Sequence, residues 1–425
     1  MKYNLDKLSN GIKVICVPMP SLESATVTVW VKTGSRFEEE KINGISHFLE
    51  HMIFKGSKKR PSAKKIAEGV DEIGGEFNAG TSKDWTNFYI KARSSNINKA
   101  LDVLSDMVLN PLLSQEEIGK EKGVIIEELR MHEDTPMMKI GDVFEQLIFA
   151  GNPLGRDIAG SEKTVRGVSR SDFLRYRSIH YYPQKMLLTM AGGIKEGDAL
   201  KLAEKYFENL NRKNLKKTSE ILFKSKQKKP QVKLHPKKKE QAHFILGFLA
   251  DGREYEGRFA QTLLSSILGG GMSSRLFSEV RERRGLAYAI STSTERYLET
   301  GYIGTYAGVD VERAHEAIKV TLEEHYKLAN NKSGVGKKEL RKAKEYIKGH
   351  LALALENTKD VNDFYGVQAL FLKEILTPDE VFKRIDAVSV EDVLKEAKKL
   401  FRPERLNLAI IGPYKDQTRF EKLLS

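Results

Sequence analysis

His47, Glu50 and His51, in the run GISHFLEHMIF, are the residues of this chain best suited to hold a metal ion and move a proton. Two imidazoles one helical turn apart can offer nitrogens to a single tetrahedral cation. A carboxylate three residues after the first histidine lies beside the position such an ion leaves for water. The order His-x-x-Glu-His reverses the common zincin spacing but keeps its geometric logic. The chemistry it allows is metal-assisted hydrolysis with Glu50 as general base. A pair of surface histidines on a charged helix is the plainer reading, and the motif alone does not decide between them.

The elements around these residues must position them. Ile45, Phe48, Leu49, Met52 and Ile53 recur at helical spacing, so a helix over 44–54 buries one apolar stripe and turns His47, Glu50 and His51 to the other side. A hydrolytic zinc needs a third protein ligand. SQEEIGKEKGVIIEELRMHE opens with a capping box at Ser114 and Glu117 and reads as a second helix, with Glu121 and Glu128 two turns apart on one face. Glu128 can complete a His2Glu set, with Glu121 orienting a ligand from behind. Periodicity leaves Glu127 open as a rival third ligand.

The bulk sequence narrows the setting. A chain of 425 residues implies two or more domains, and 40% hydrophobic with 30% charged residues describes a globular protein. Cys16 is the one cysteine, so any metal is held by histidine and carboxylate, and a reducing compartment fits. The first residues carry no signal-peptide pattern, and no run of 18 apolar residues occurs, which gives the expectation of a cytoplasmic protein without a membrane partner. The net charge of +13 would suit an acidic partner. Its densest part, the lysines of 212–239, has no aromatic interleaving. It is expected to be a solvated connector and no nucleic-acid surface.

One pattern is used twice. VSRSDFLRYRSIHYYPQKMLLTMAGGI from Val168 recurs in register as VSVEDVLKEAKKLFRPERLNLAIIGPY from Val388, an offset of 220 residues. Each copy opens a helix, meets a proline (Pro183, Pro403) and runs into a β-rich strand. VTVWVKTGSRFEEEKINGISHFLEHMIFKG and FILGFLADGREYEGRFAQTLLSSILGGG echo each other more loosely as strand, charged loop and helix. The expectation is an α+β chain of two similar sandwich-like domains: 1–215 with the metal motif, a lysine-rich linker at 216–230, and 231–425. Where the repeat places the second metal motif stand Thr262, Leu263, Leu264, Ser265 and Ser266, so the second half binds no metal there.

With these residues in view the sequence resembles the pitrilysin and insulinase inverzincin peptidases, most of all their two-domain bacterial and mitochondrial-processing-type members, over nearly the whole chain. The resemblance implies Glu128 as third zinc ligand and Glu121 as the functional glutamate seven residues before it, since 76 residues lie between His51 and Glu128. GGEFNAGTSKDWTNFYIKA, at 74–92, resembles the family's edge strand, which places Asn78 and Ala79 against the substrate. An edge strand can take up a peptide through its backbone without demanding particular side chains. LGGGMSSRLFSEVRERRGLAYAIS resembles the family's arginine and tyrosine element. Tyr288 can donate to an oxyanion and Arg281 can hold peptide carbonyls. The triple glycine Gly269 to Gly271 lacks a phosphate-loop spacing and reads as a flexible loop.

The resemblance further implies a zinc endopeptidase for short or unstructured polypeptides. Its two halves would form a clamshell whose closure excludes water, and two copies would pair as a homodimer to complete a four-domain chamber. The family also contains non-catalytic assembly subunits, the alternative reading. Those usually lack an intact ligand set, and this sequence retains every position.

Overall fold

The computed structural model describes residues 1–210, 221–330 and 334–424. Its strands are β1 (Asn4–Lys7), β2 (Lys13–Pro18), β3 (Ser24–Val31), β4 (Glu76–Thr81), β5 (Thr86–Arg93), β6 (Met186–Gly192), β7 (Gln231–Pro236), β8 (Gln241–Asp251), β9 (Ala287–Arg296), β10 (Thr300–Asp310) and β11 (Leu406–Gly412). They form two sheets, ordered β1-β2-β6-β3-β5-β4 and β7-β11-β8-β10-β9. In the first, β2 and β6 run parallel and the other neighbours antiparallel. The second repeats that arrangement without a counterpart of β1, with β7 and β11 as its parallel pair. The chain is therefore α+β and internally duplicated, as the 220-residue repeat implies.

The repeated segment keeps its register in three dimensions. Helices Arg170–His180 and Val390–Leu400 both start from capping boxes, Ser169 with Asp172 and Ser389 with Asp392. A short 3-10 turn at Pro183 or Pro403 then leads into β6 or β11. The proline fixes φ and withholds an N–H, which suits the first residue of such a turn.

Each sheet is covered on both faces. Along β3, Ala25, Val27, Val29 and Val31 enter the main apolar core, whereas Thr26, Thr28 and Trp30 face the helix Thr358–Phe371. Asn362 donates to the Thr26 carbonyl at 2.8 Å, and Thr26 meets Thr358 hydroxyl to hydroxyl at 2.7 Å. On the second sheet the helix Pro136–Ile148 packs against β7, β8 and β11, with Phe144 beside Tyr302 and Glu145 bonded to Tyr297.

These covering helices change places. The compact units are residues 1–130, 156–221 and 352–378 for the first, and 131–155, 222–351 and 379–425 for the second. Each unit thus takes one sheet-covering helix from the opposite half of the sequence, and neither is a contiguous stretch. Of the linker expected at 216–230, residues 216–220 lie outside the described part, and Leu222 onward belongs to the second unit. The lysine-rich stretch 212–239 is not connector throughout. Its residues 231–236 are β7, held by pairing with β11 and by burial of Val232. No helix among the described residues is long and apolar enough to cross a membrane.

The expected metal-binding helix runs over Ile45–Ile53. Ile45, Phe48, Leu49, Met52 and Ile53 are all fully buried, and at roughly 1.5–3 kcal/mol each their burial holds the helix in one rotational setting. Gly44 precedes it at φ 99°, where a side chain would strike the Ala159 carbonyl, so glycine is required. Glu38 caps the helix from outside: its carboxylate accepts from Gly44 N, Ser46 N and Asn43 Nδ2 at 2.7–2.8 Å. Burial pushes the Glu38 carboxyl up to about 7, against those hydrogen bonds, which favour the charged form.

Candidate metal centre

His47, Glu50 and His51 emerge half-buried from the polar side of the helix Ile45–Ile53. The facing helix spans Gln115–Asp134, with Ser114 Oγ accepting from Glu117 N at 3.2 Å; of the capping box the sequence predicts, this half forms, while the Glu117 carboxylate accepts from Lys120 instead. Ile118, Glu121 and Ile125 share its buried stripe, and Glu128 continues that stripe one turn on. Glu127 turns away, 71% exposed and paired with Arg130 at 2.6 Å. Of the two residues periodicity left open, Glu128 faces the histidines and Glu127 does not.

The three ligand groups converge. His47 Nε2 and His51 Nε2 are 3.3 Å apart, Glu128 Oε1 is 3.6 Å from His47 Nε2, and Glu128 Oε2 is 3.5 Å from His51 Nε2. One donor atom from each lies within 4.8 Å of the others. Donors bound at ~2.0–2.2 Å and at a tetrahedral angle stand ~3.3–3.6 Å from each other. The two imidazoles stand at such a spacing, and the Glu128 carboxylate approaches them with a different oxygen toward each, so the cluster can gather around one ion.

The charges agree with the distances. Glu121 Oε1 is 2.9 Å from His51 Nδ1, which leaves Nε2 to point at the shared centre, and Lys55 Nζ holds Glu121 Oε2 at 2.6 Å. Glu50, Glu121 and Glu128 surround the two histidines with carboxyl groups, and Lys55 is bonded to one of them. Burial works against a charged His51, but the bond from Glu121 and the charges of Glu128, Glu121 and Glu50 outweigh it and raise its pKa. Burial likewise opposes ionisation of Glu121, yet its bonds to His51 and Lys55 hold its pKa low. Glu50 is raised by burial and by Glu128, with the Thr81 bond and His51 acting the other way.

The edge strand lies against this helix. β4 borders the first sheet and, among the described residues, pairs with β5 alone, and the histidine helix packs on it, with Phe54 and Phe77 in ring contact. Asn78 is exposed and Ala79 half-buried. Thr81, the last residue of β4, donates from Oγ1 to Glu50 Oε2 at 2.5 Å.

Arg281 and Tyr288 belong to the second unit, where they come together. Arg281 sits on a π-helical turn, Phe277–Glu282, with its guanidinium 4.7 Å from the Phe277 ring centre and 5.7 Å from that of Tyr288. Tyr288, near the start of β9, is 81% exposed. The Thr262–Ser266 segment lies within the helix Arg258–Gly269 and offers no imidazole or carboxylate.

Three supporting residues escape the sequence reading. Lys55 follows His51 at i+4, a signal that was available. Thr81 follows Ala79 by two along an alternating strand, so the same face was predictable. Glu38 had no local signal, since its bonds to the helix start depend on how the preceding loop turns.

Residues 13–162 match the family described as Insulinase (Peptidase family M16), and residues 167–347 match its companion, Peptidase M16 inactive domain. A Bacillus subtilis protein named an uncharacterized zinc protease is 37% identical over 411 residues, covering 95% of this chain and 97% of the relative. A Streptomyces coelicolor protein, also named an uncharacterized zinc protease, is 34% identical over 414 residues, 96% of this chain and 89% of the relative. In fold, a Helicobacter pylori protease superposes with a TM-score of 0.91 at 24% identity, covering 97% of this chain and 100% of that one. A Pseudomonas fluorescens structure described as a peptidase M16 inactive domain gives 0.87 at 19%, covering 98% and 100%. On the strength of both matched regions and of relatives above 30% identity along almost their whole lengths, this chain belongs to the insulinase family of peptidases, peptidase family M16.

Proposed function

We propose that the protein is a zinc-dependent endopeptidase that hydrolyses short or unstructured polypeptides in the cytoplasm. The observation that carries this reading is the convergence of His47 and His51, whose Nε2 atoms lie 3.3 Å apart and each within 3.6 Å of a Glu128 carboxylate oxygen, with Glu50 alongside. Those three residues would hold the zinc, and Glu121 would fix the tautomer and direction of His51. Bound zinc supplies Lewis-acid activation of water and of a peptide carbonyl.

The chain's own groups account for the remaining work. Backbone groups at the β4 edge around Asn78 and Ala79 would align an extended peptide, reading backbone and not sequence. Glu50 would take a proton from the attacking water and return it to the leaving amine. Tyr288 would donate from its hydroxyl to the oxyanion, and Arg281 would hold substrate carbonyls. Both belong to the second unit and the metal set to the first, so the reading draws on groups from each unit, and a homodimer is the assembly it would take. Supporting this division of labour, the second unit lacks ligands at Thr262–Ser266 and carries the exposed Tyr288.

The experiment is Glu50→Gln, assayed on a quenched unstructured peptide beside zinc content. The expected result is retained zinc with cleavage lost. Undiminished turnover would contradict the assignment.

A further inference from the structure

The strand that lines the metal-binding helix carries a residue whose two ends have different tasks. Ser82 N–H donates to the Trp85 carbonyl at 2.8 Å, which closes the turn between β4 and β5. In an antiparallel pair, successive residues turn their backbone groups alternately inward and outward. From Ser82 backward, Gly80 and Asn78 face β5, opposite Asn87 and Tyr89, while Thr81, Ala79 and Phe77 face the open edge. The Ala79 N–H agrees with that parity: it donates to Asn78 Oδ1 at 2.8 Å, a local partner that keeps an outward donor satisfied.

Side chains follow a separate alternation, and here the two coincide at a useful place. Phe77 and Thr81 point toward the metal-binding helix, Phe77 onto Phe54 and Thr81 onto Glu50. Thr81 thus presents its backbone N–H and C=O to the edge where a peptide would add, and its hydroxyl to the carboxylate beside the metal-ligand triangle. Glu50 stands one residue from His51, and the Thr81 hydroxyl donates to the Glu50 carboxylate. The short bond from Thr81 Oγ1 engages Oε2 and so fixes one oxygen of the carboxylate.

We propose that Thr81 is a positioning residue that couples substrate docking on β4 to the orientation of Glu50. This rests on the peptidase reading above. A peptide paired along the edge would hold the Thr81 backbone still, and through the hydroxyl the base would be held with it. Orientation of this kind is felt in turnover more than in binding.

The test compares Thr81→Val, which keeps shape and strand preference, with Thr81→Ser, which keeps the hydroxyl. On an unstructured quenched peptide with full-length protein, Thr81→Val is expected to lower kcat roughly tenfold to a hundredfold, the loss for a hydrogen bond to a charged group. KM should stay within about twofold, and zinc per chain should not change. Thr81→Ser should restore kcat to within about threefold of the parent. In parallel, the carboxyl carbon resonance of Glu50, assigned by its loss in Glu50→Gln, should move in metal-free Thr81→Val and stay in Thr81→Ser. Unchanged kcat in the valine variant, equal damage in the serine variant or an unmoved resonance would each overturn the proposal. Failure of the parent to cleave in a chelator-sensitive way would instead reject the peptidase reading, while the resonance still judges Thr81 by itself.

Discussion

Replacing Glu121 by glutamine tests whether the residue behind the metal set tunes it. Glutamine keeps the shape and an acceptor oxygen for His51 Nδ1, 2.9 Å away, but drops the negative charge. A hydrogen bond to a charged group is worth roughly 1.5–3 kcal/mol and a neutral one roughly 0.5–1.5. The difference is about 1–1.5 kcal/mol, and with tenfold per ~1.4 kcal/mol the zinc Kd should rise about tenfold. That lies at the low end of the ~10–100-fold loss known for such outer partners. Lys55, 27% exposed, can turn to water once its 2.6 Å partner is neutral, so the fold itself should lose little. The assay is zinc competition against a chromogenic chelator, with melting curves at one fixed free zinc concentration above both Kd values. Ligand linkage then predicts about 1.4 kcal/mol less zinc-conferred stability, or a smaller zinc-induced Tm rise by ~3–5 °C for a unit of this size. An affinity within twofold of the parent would refute the reasoning. So would a Tm loss equally large without metal, which would make Glu121 a structural residue only.

Two other substitutions probe the remaining parts. Tyr288→Phe should lower kcat by tens-fold or more with zinc content unchanged, because it removes one hydroxyl donor; peptide kinetics beside metal analysis checks it, and unchanged kinetics would remove Tyr288 from the mechanism. Gly366→Ala should destabilise the first unit, because the new methyl would lie 2.5 Å from the fully buried Trp30 ring. Overpacking of that size costs roughly 1–3 kcal/mol, and helix propensity returns about 1 kcal/mol, leaving a net loss of up to ~2 kcal/mol in urea unfolding. An equal or higher midpoint would show that the helix Thr358–Phe371 does not press on Trp30.

Much of the site was legible because its parts are local. The stripe Ile45, Phe48, Leu49, Met52, Ile53 determines where His47, Glu50 and His51 point, and a helix obeys its period wherever it packs. The duplication was readable for the same reason, since Ser169 and Ser389 cap their helices with the residue three positions on. Glu128 against Glu127 was not decidable from spacing, because a helix stripe is broad enough to admit either until its neighbours are known. In the fold Glu127 is exposed beside Arg130, while Glu128 turns toward the histidines. The strand β7 was hidden by its composition: lysines flank it, and only Val232 and Leu234 report the inward face. The placement of Pro136–Ile148 and Thr358–Phe371 depends on contacts more than a hundred residues away, such as Thr26 with Thr358 and Glu145 with Tyr297, and no local pattern announces those.

That trade of covering helices makes the protein inseparable at the level of its gene. A reading frame cut near Lys228 would give two products, each carrying a helix built for its sibling's sheet and each missing the one its own sheet needs. A backbone nick at the same place would leave the pieces clasped, since release of either requires both loaned helices to come out.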